Sequence, residues 1–244
     1  MIDEVEQPVS SGSKVRERAI MHHLGILVRK SEFESLLAWH RKVLDMEVNF
    51  RGSDGELEVC FLTNDAANHR LVFIAKPDLS DDPSAAIHTG LDHFAFEFPT
   101  IQGLMAKYVE LRDAGIYPWM PIDHGLTISI YYMDPRGCKV ELQTDALATA
   151  PGDWDASREW MHSSPDFVNN IFGILFDPDA VATACDRGAT LEEIHRAIYY
   201  EGTYPPTPAQ RQPVLDMYGA IRPGPWDHAS WNLDDPTFAT NGKE

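Results

Sequence analysis

Residues 20–28 read IMHHLGILV and residues 90–98 read GLDHFAFEF. Both are apolar runs of strand composition, and each carries a histidine near its start, His23 in one and His93 in the other. In the second run Phe94, Phe96 and Phe98 alternate with smaller or charged residues, which gives a strand one aromatic face. The sequence after each run follows the same plan. After the first, Ser31 is a capping residue for a helix on which Phe33, Leu36, Leu37, His40, Val43 and Leu44 fall at helical spacing. Two extended stretches follow at 57–63 and 70–75. After the second, Thr100 caps a helix carrying Ile101, Leu104, Met105, Tyr108 and Leu111, closed by Gly115. Extended stretches at 126–133 and 139–143 follow, joined by the turn Asp134-Pro135-Arg136-Gly137. Strand–helix–strand–strand therefore occurs twice. His23 lies 49 residues before Val72, and His93 lies 48 before Glu141. The pattern predicts an α+β fold built by duplication about a pseudo-twofold axis.

Residues 149–244 have a different texture. Asp177-Pro178 and Thr190-Leu191-Glu192-Glu193 are helix starts, the second a capping box. From Thr203 onward Pro205, Pro206, Pro208, Pro213, Pro223 and Pro225 are expected to break any long element. Trp154, Trp160, Phe167, Phe172, Tyr199, Tyr218, Trp226 and Trp231 make this a packed appendage rather than a disordered tail. The expected organisation is a loose arm at 1–19, a duplicated domain at 20–148 with modules at about 20–77 and 90–145, and a helical or irregular extension at 149–244.

The chain has 244 residues, with 20 Lys+Arg against 38 Asp+Glu, a formal charge of −18. That balance disfavours an electrostatic grip on nucleic acid or anionic lipid. Cys60, Cys138 and Cys185 are too few and scattered for a disulfide framework, which suggests a reducing compartment. The start of the sequence, MIDEVEQPVSSGSK, lacks an apolar signal core, and no apolar run approaches the roughly 18 residues of a membrane span. A soluble cytoplasmic protein is the expectation, and the charge says little about a small ligand in a pocket.

His23, His93 and Glu141 hold related places in the two modules. In Val140-Glu141-Leu142 the carboxylate alternates with apolar residues, so it faces away from the helices if its neighbours face them. A lone buried carboxylate is costly unless paired or metal-bound; the other reading of Glu141 is a solvent-facing strand residue. Val72 holds the fourth related place and cannot bind a metal. Two imidazoles and one carboxylate suit a non-heme ferrous ion with open positions.

Four segments carry a resemblance to a known family: Met21-His22-His23-Leu24-Gly25-Ile26; Phe61-Leu62-Thr63-Asn64 with Asn68-His69-Arg70-Leu71; Leu91-Asp92-His93-Phe94; and His124-Gly125 with the stretch from Tyr131 to Glu141. Over about residues 20–145 the chain resembles the vicinal oxygen chelate (glyoxalase/bleomycin resistance/dioxygenase) superfamily, and within it is similar to the type I extradiol ring-cleavage dioxygenases. The resemblance implies two tandem βαβββ modules forming a curved mixed sheet around a metal site. It implies His23, His93 and Glu141 as ligands of Fe(2+), with Mn(2+) accepted by the same donors. His69 matches the family's acid–base histidine, and His124 and Tyr131 match residues that contact the two oxygens of a catechol. His23 is taken over His22 because it directly precedes the Leu-Gly-Ile run, and Tyr131 over Tyr132 because it lies ten residues before Glu141. Whether Tyr131 shares the glutamate's face depends on how the turn between them restores register. The bland readings are a surface His69, a turn residue at His124 and a core residue at Tyr131. His40, His88, His162, His195 and His228 have no matching context and read as structural or exposed.

The implied activity is insertion of O2 into a catechol-type ring beside its vicinal diol, in a protein that forms a homo-oligomer. The rivals are a metal-dependent isomerase or lyase of the same superfamily and a ligand-binding module. Val72 speaks against the first, which calls for a further carboxylate. The cluster of ionisable groups speaks against the second. The best-known relatives carry two such paired domains, whereas here one pair is followed by an extension of about 95 residues, expected to cover the pocket mouth or form a subunit interface.

Overall fold

The computed structural model describes residues 20–80, 90–150, 152–170 and 172–219. The arm at 1–19, His88, and the end of the extension from residue 220 on, with Pro223, Pro225, Trp226, His228 and Trp231, lie outside the described residues. The first module runs β1 (Leu24–Arg29), α1 (Phe33–Leu44), β2 (Glu47–Asp54), β3 (Leu57–Thr63) and β4 (Leu71–Lys76). The second runs β5 (His93–Glu97), α2 (Ile101–Asp113), β6 (Met120–Asp123), β7 (Thr127–Met133) and β8 (Lys139–Asp145). The α+β expectation holds, and each module is βαβββ. Among the described residues the strands form two hydrogen-bonded sheets rather than one, ordered β1-β4-β3-β2 and β5-β8-β7-β6-β9, with β9 at Ile174–Leu175.

β2 and β6 are not legible from alternation. β2 is exposed along nearly its whole length, and β6 is four residues long and contains Pro121. Ser31 does not cap α1; it lies in a 3-10 turn, Lys30–Glu32, that leads into the helix. Thr100 does cap α2, its hydroxyl accepting the Gly103 N–H at 3.1 Å. Asp134 organises the β7–β8 turn by accepting from the N–H groups of Arg136 and Cys138 at 2.8 and 2.9 Å.

In each module the first strand pairs parallel to the last. Gly25 stands opposite Val72, and Ala95 opposite Glu141. His23 is two residues before Gly25 and His93 two before Ala95, so the register makes His23 and His93 counterparts, and Val72 and Glu141 likewise. One face of each sheet packs on helix: Val140, Leu142, Ile130 and Tyr132 join Leu104, Met105 and Leu111 of α2 in one core with Phe73, Leu36 and Val43 of the first module. Burying side chains of this size stabilises by about 1.5–3 kcal/mol each before entropy is counted.

The extension contains α3 (Asp155–Ser163), α4 (Pro165–Asn169), β9, α5 (Pro178–Asp186), α6 (Leu191–His195) continuing into a π-helical turn Arg196–Tyr200, and α7 (Pro208–Gly219). The Asp177 and Thr190 caps form as expected, Thr190 in a reciprocal capping box with Glu193. The prolines do not prevent α7: Pro208 sits in its first turn and only Pro213 is internal, where it costs one helical hydrogen bond. Val214 of α7 is fully buried with Met120, Ile122, Tyr131 and Leu175, on the face of the second sheet turned away from α2. No helix among the described residues is long and apolar enough to cross a membrane.

Phe73 lies at 0% exposure in β4 and touches the His40 ring of α1 edge-on, with centroids 4.9 Å apart. Phe73→Ala is expected to lower unfolding free energy by about 3–5 kcal/mol, measured by urea denaturation, because a rigid two-sided core collapses poorly around the lost ring.

Candidate functional site

Val140 and Leu142 face α2, so β-alternation turns Glu141 to the opposite face, where it is only 4% exposed. The β7–β8 register sets Tyr131 directly opposite Glu141, which resolves the tyrosine's face. Ser129, two residues earlier, lies on the same face, and the hydroxyls of Ser129 and Tyr131 both hydrogen-bond to the Glu141 carboxylate. His93 Nε2 stands 3.2 Å from Glu141 Oε2. Burial alone would push the Glu141 carboxyl up, but the bonds from His93, Ser129 and Tyr131 outweigh it and hold it below the ordinary range.

His93 is gripped from both ends. Asp92 Oδ2 lies 2.7 Å from its Nδ1, while Asp92 Oδ1 accepts from Lys139 Nζ at 2.7 Å. The bond to Glu141, opposed by burial and assisted by Asp92, pushes His93 up to about 9. His124 completes this group: its Nε2 is 3.2 Å from the Tyr131 hydroxyl and its Nδ1 is 2.5 Å from the Phe172 carbonyl oxygen. A carbonyl can only accept, so Nδ1 carries the proton and Nε2 offers a lone pair. Burial drives the His124 pKa down, against the opposing effect of the Phe172 bond, and favours this neutral form. The single Tyr131 hydroxyl proton then has two acceptors in reach, Glu141 and His124.

The remaining candidates gather separately. The ligand nitrogens of His22, His23 and His69 all lie within 4.8 Å of one another, and this is the one such trio of potential metal donors among the described residues. His23, His93 and Glu141 are not drawn into that span together. His69 stacks on Phe61 with centroids 4.4 Å apart, and its Nδ1 is buried without a hydrogen-bond partner among the described residues. Burial, and then the neighbouring His23 and His22, push the His69 pKa down. His23 and His22 are exposed, in the segment that leads into β1.

Sequence reading passed over Asp92, Ser129, Asp123 and Phe172. Asp92 had a signal in its adjacency to His93, and Ser129 in its two-residue offset from Tyr131. Phe172 acts through its backbone, which has no sequence signature.

The second sheet thus presents a carboxylate, two imidazoles and a phenol on one face, and the first module brings three more imidazoles. Residues 20–142 match the Glyoxalase/Bleomycin resistance protein/Dioxygenase superfamily, and the chain belongs to it. It is similar to two curated proteins of Rhodococcus globerulus. One is biphenyl-2,3-diol 1,2-dioxygenase 2, 33% identical over 185 residues that cover 75% of this chain and 91% of that one. The other is biphenyl-2,3-diol 1,2-dioxygenase 3, 34% identical over 168 residues that cover 69% of this chain and 84% of that one. Among solved structures, a glyoxylase/bleomycin resistance protein/dioxygenase domain from Frankia sp. EAN1pec aligns at 17% identity over 53% of this chain and 93% of that one, with a TM-score of 0.46.

Folding raises the His93 pKa from 6.5 to about 9, so its pairing stabilises the fold fully below pH 6.5 and is lost as pH rises through about 9. In metal-free protein the urea midpoint should fall over that window. Glu141→Gln should flatten this dependence and lower the His93 pKa by roughly a unit, as followed by NMR titration. An unchanged His93 titration in Glu141→Gln would refute the assignment.

Proposed function

We propose that the protein is a ferrous-dependent extradiol dioxygenase that opens a catechol-type ring next to its vicinal diol, with the ion held by His23, His93 and Glu141. The observation that carries this reading is the convergence of Glu141, His93, Tyr131 and His124 on one face of the second sheet, in a chain a third identical to two biphenyl-2,3-diol 1,2-dioxygenases over most of its length. The donor chemistry fits the ion: two imidazoles and a carboxylate that is buried yet kept ionised, the set that leaves neighbouring positions open on a non-heme Fe(II). Glu141 and His93 are fixed by strands, and His23, exposed ahead of β1, would be the third donor. Mn(II) accepts the same donors, and metal analysis of the purified protein separates the two. What the ion would supply is a common anchor for the diol and O2 and a lowered pKa for a coordinated hydroxyl.

The protein's own groups do the rest. His124 meets the diol uncharged, with its bare Nε2 turned toward the Tyr131 hydroxyl, so it can accept a proton from a diol oxygen. Tyr131 can donate to the other oxygen and steady its charge. His69, with its depressed pKa, is uncharged at neutral pH; it can take up the second proton that the diol releases and return it to a departing oxygen afterwards. Phe172, Leu175 and Val214 of the extension lie over the Tyr131 side of the sheet and restrict water there. The small-molecule partners are an aromatic diol and O2, and assembly into a homo-oligomer belongs to the same proposal.

A second arrangement of the metal is favoured by the close grouping of His22, His23 and His69. Variants separate the two. On the proposed reading Glu141→Ala loses iron, His22→Ala keeps it, and His69→Ala keeps iron while turnover of a catechol panel falls about a hundredfold or more. Iron lost in His22→Ala and retained in Glu141→Ala would move the ion to the histidine trio. Full ring-cleavage rate in His69→Ala would end its catalytic role.

A further inference from the structure

The turn Asp123-His124-Gly125 is held from outside the duplicated domain at every residue. β9 adds to the free edge of β6, with Ile174 opposite Asp123 and Leu175 opposite Ile122. One residue earlier, Gly173 has φ +106°, and a Cβ there would lie 2.2 Å from the Asp123 carbonyl oxygen, so the two backbones touch. Gly125 has φ +81°, and a Cβ there would lie 2.5 Å from the Trp160 ring. Asp123, fully buried, accepts from the Gly125 N–H at 2.7 Å through one carboxylate oxygen and from His195 Nδ1 at 2.8 Å through the other. His195 is itself 5% exposed, and its ring stacks on Tyr199 with centroids 5.5 Å apart.

The imidazole of His124 is held by the same extension. The Phe172 carbonyl that accepts its Nδ1–H belongs to the peptide group whose N–H, on Gly173, donates to Asn170 Oδ1 at 3.1 Å. Asn170 therefore fixes the plane of the peptide that fixes the tautomer. A neutral imidazole exchanges tautomers readily in water, and only a one-way partner removes the choice; a carbonyl is such a partner.

We propose that Asn170 and His195 are positioning residues, which lock His124 as the Nδ1–H tautomer with its Nε2 lone pair aimed at the Tyr131 hydroxyl. Asn170 acts through the 172–173 peptide and His195 through the β6–β7 turn. The proposal rests on the role given above to His124, yet the tautomer is measurable without any turnover.

The test uses the full chain labelled with 15N-histidine, the His124 signals being assigned by their loss in His124→Gln. Wild type should show a protonated Nδ1 and a bare Nε2. Asn170→Ala and His195→Leu should give mixed tautomers and about a tenfold fall in kcat on a catechol that the wild type cleaves, with KM and iron content little changed. Asn170→Asp and His195→Gln restore an acceptor for Gly173 N–H and a donor for Asp123, and should recover both readouts. An Nε2–H tautomer in wild type overturns the proposal. So does a pure Nδ1–H signature with unaltered kcat in both Asn170→Ala and His195→Leu. So does equal loss in the conservative variants, which marks a purely structural role. A wild type that has the Nδ1–H signature and cleaves no catechol counts against the dioxygenase reading and leaves the tautomer lock supported.

Discussion

A carboxylate buried on the open face of a β-sheet is the constraint around which this molecule is arranged. Glu141 cannot sit there ionised without partners, since stripping a charge of water costs several kcal/mol. Its partners come from the two neighbouring strands, His93 from β5 and Ser129 and Tyr131 from β7, while the glutamate itself lies on β8 between them. Each of those strands turns its other face to α2, so the hydrophobic packing that builds the core also aims the polar groups at one another. Asp92 and Lys139 extend the arrangement outward and hold the His93 ring from behind.

The two modules share a backbone plan but have diverged in content. The register that pairs Ala95 with Glu141 pairs Gly25 with Val72, and the apolar residue makes the first module a supplier of imidazoles rather than a second charged site. Duplication thus gave two equivalent positions, and only one of them holds a carboxylate. Around Tyr131 that face of the second sheet is covered by Phe172, Leu175 and Val214, all from outside the repeat. The apolar cluster they form with Met120 and Ile122 places the extension against the tyrosine that stands opposite Glu141.

Much of this was legible in the residues, and what escaped has physical causes. The paired histidine-led strands, the helices with their Thr100 and Thr190 caps and the Asp134 turn are local patterns, and local patterns survive in a sequence. The turn of Glu141 away from the helices followed from two apolar neighbours. β2 was hidden because an exposed edge strand needs no alternation, and β6 because four residues with a proline carry no period. The face of Tyr131 depended on the number of residues that the Asp134 turn consumes, a matter of backbone geometry. The separate grouping of His22, His23 and His69 is a matter of three-dimensional placement, which spacing does not encode. The Asp123–His195 pair spans 72 residues and the Phe172 contact uses a carbonyl, so neither leaves a trace in composition or motif.

β9 is only two residues long, yet it lies where β6 would otherwise end the sheet with its backbone donors and acceptors bare. Such a border recruits any extended peptide that drifts against it, and natural sheets blunt it with a short cover. Ile174 and Leu175 therefore guard the duplicated domain against unwanted cross-chain stitching along that margin. A shortened gene product that stopped before them would expose a sticky rim, with clumping as the hazard.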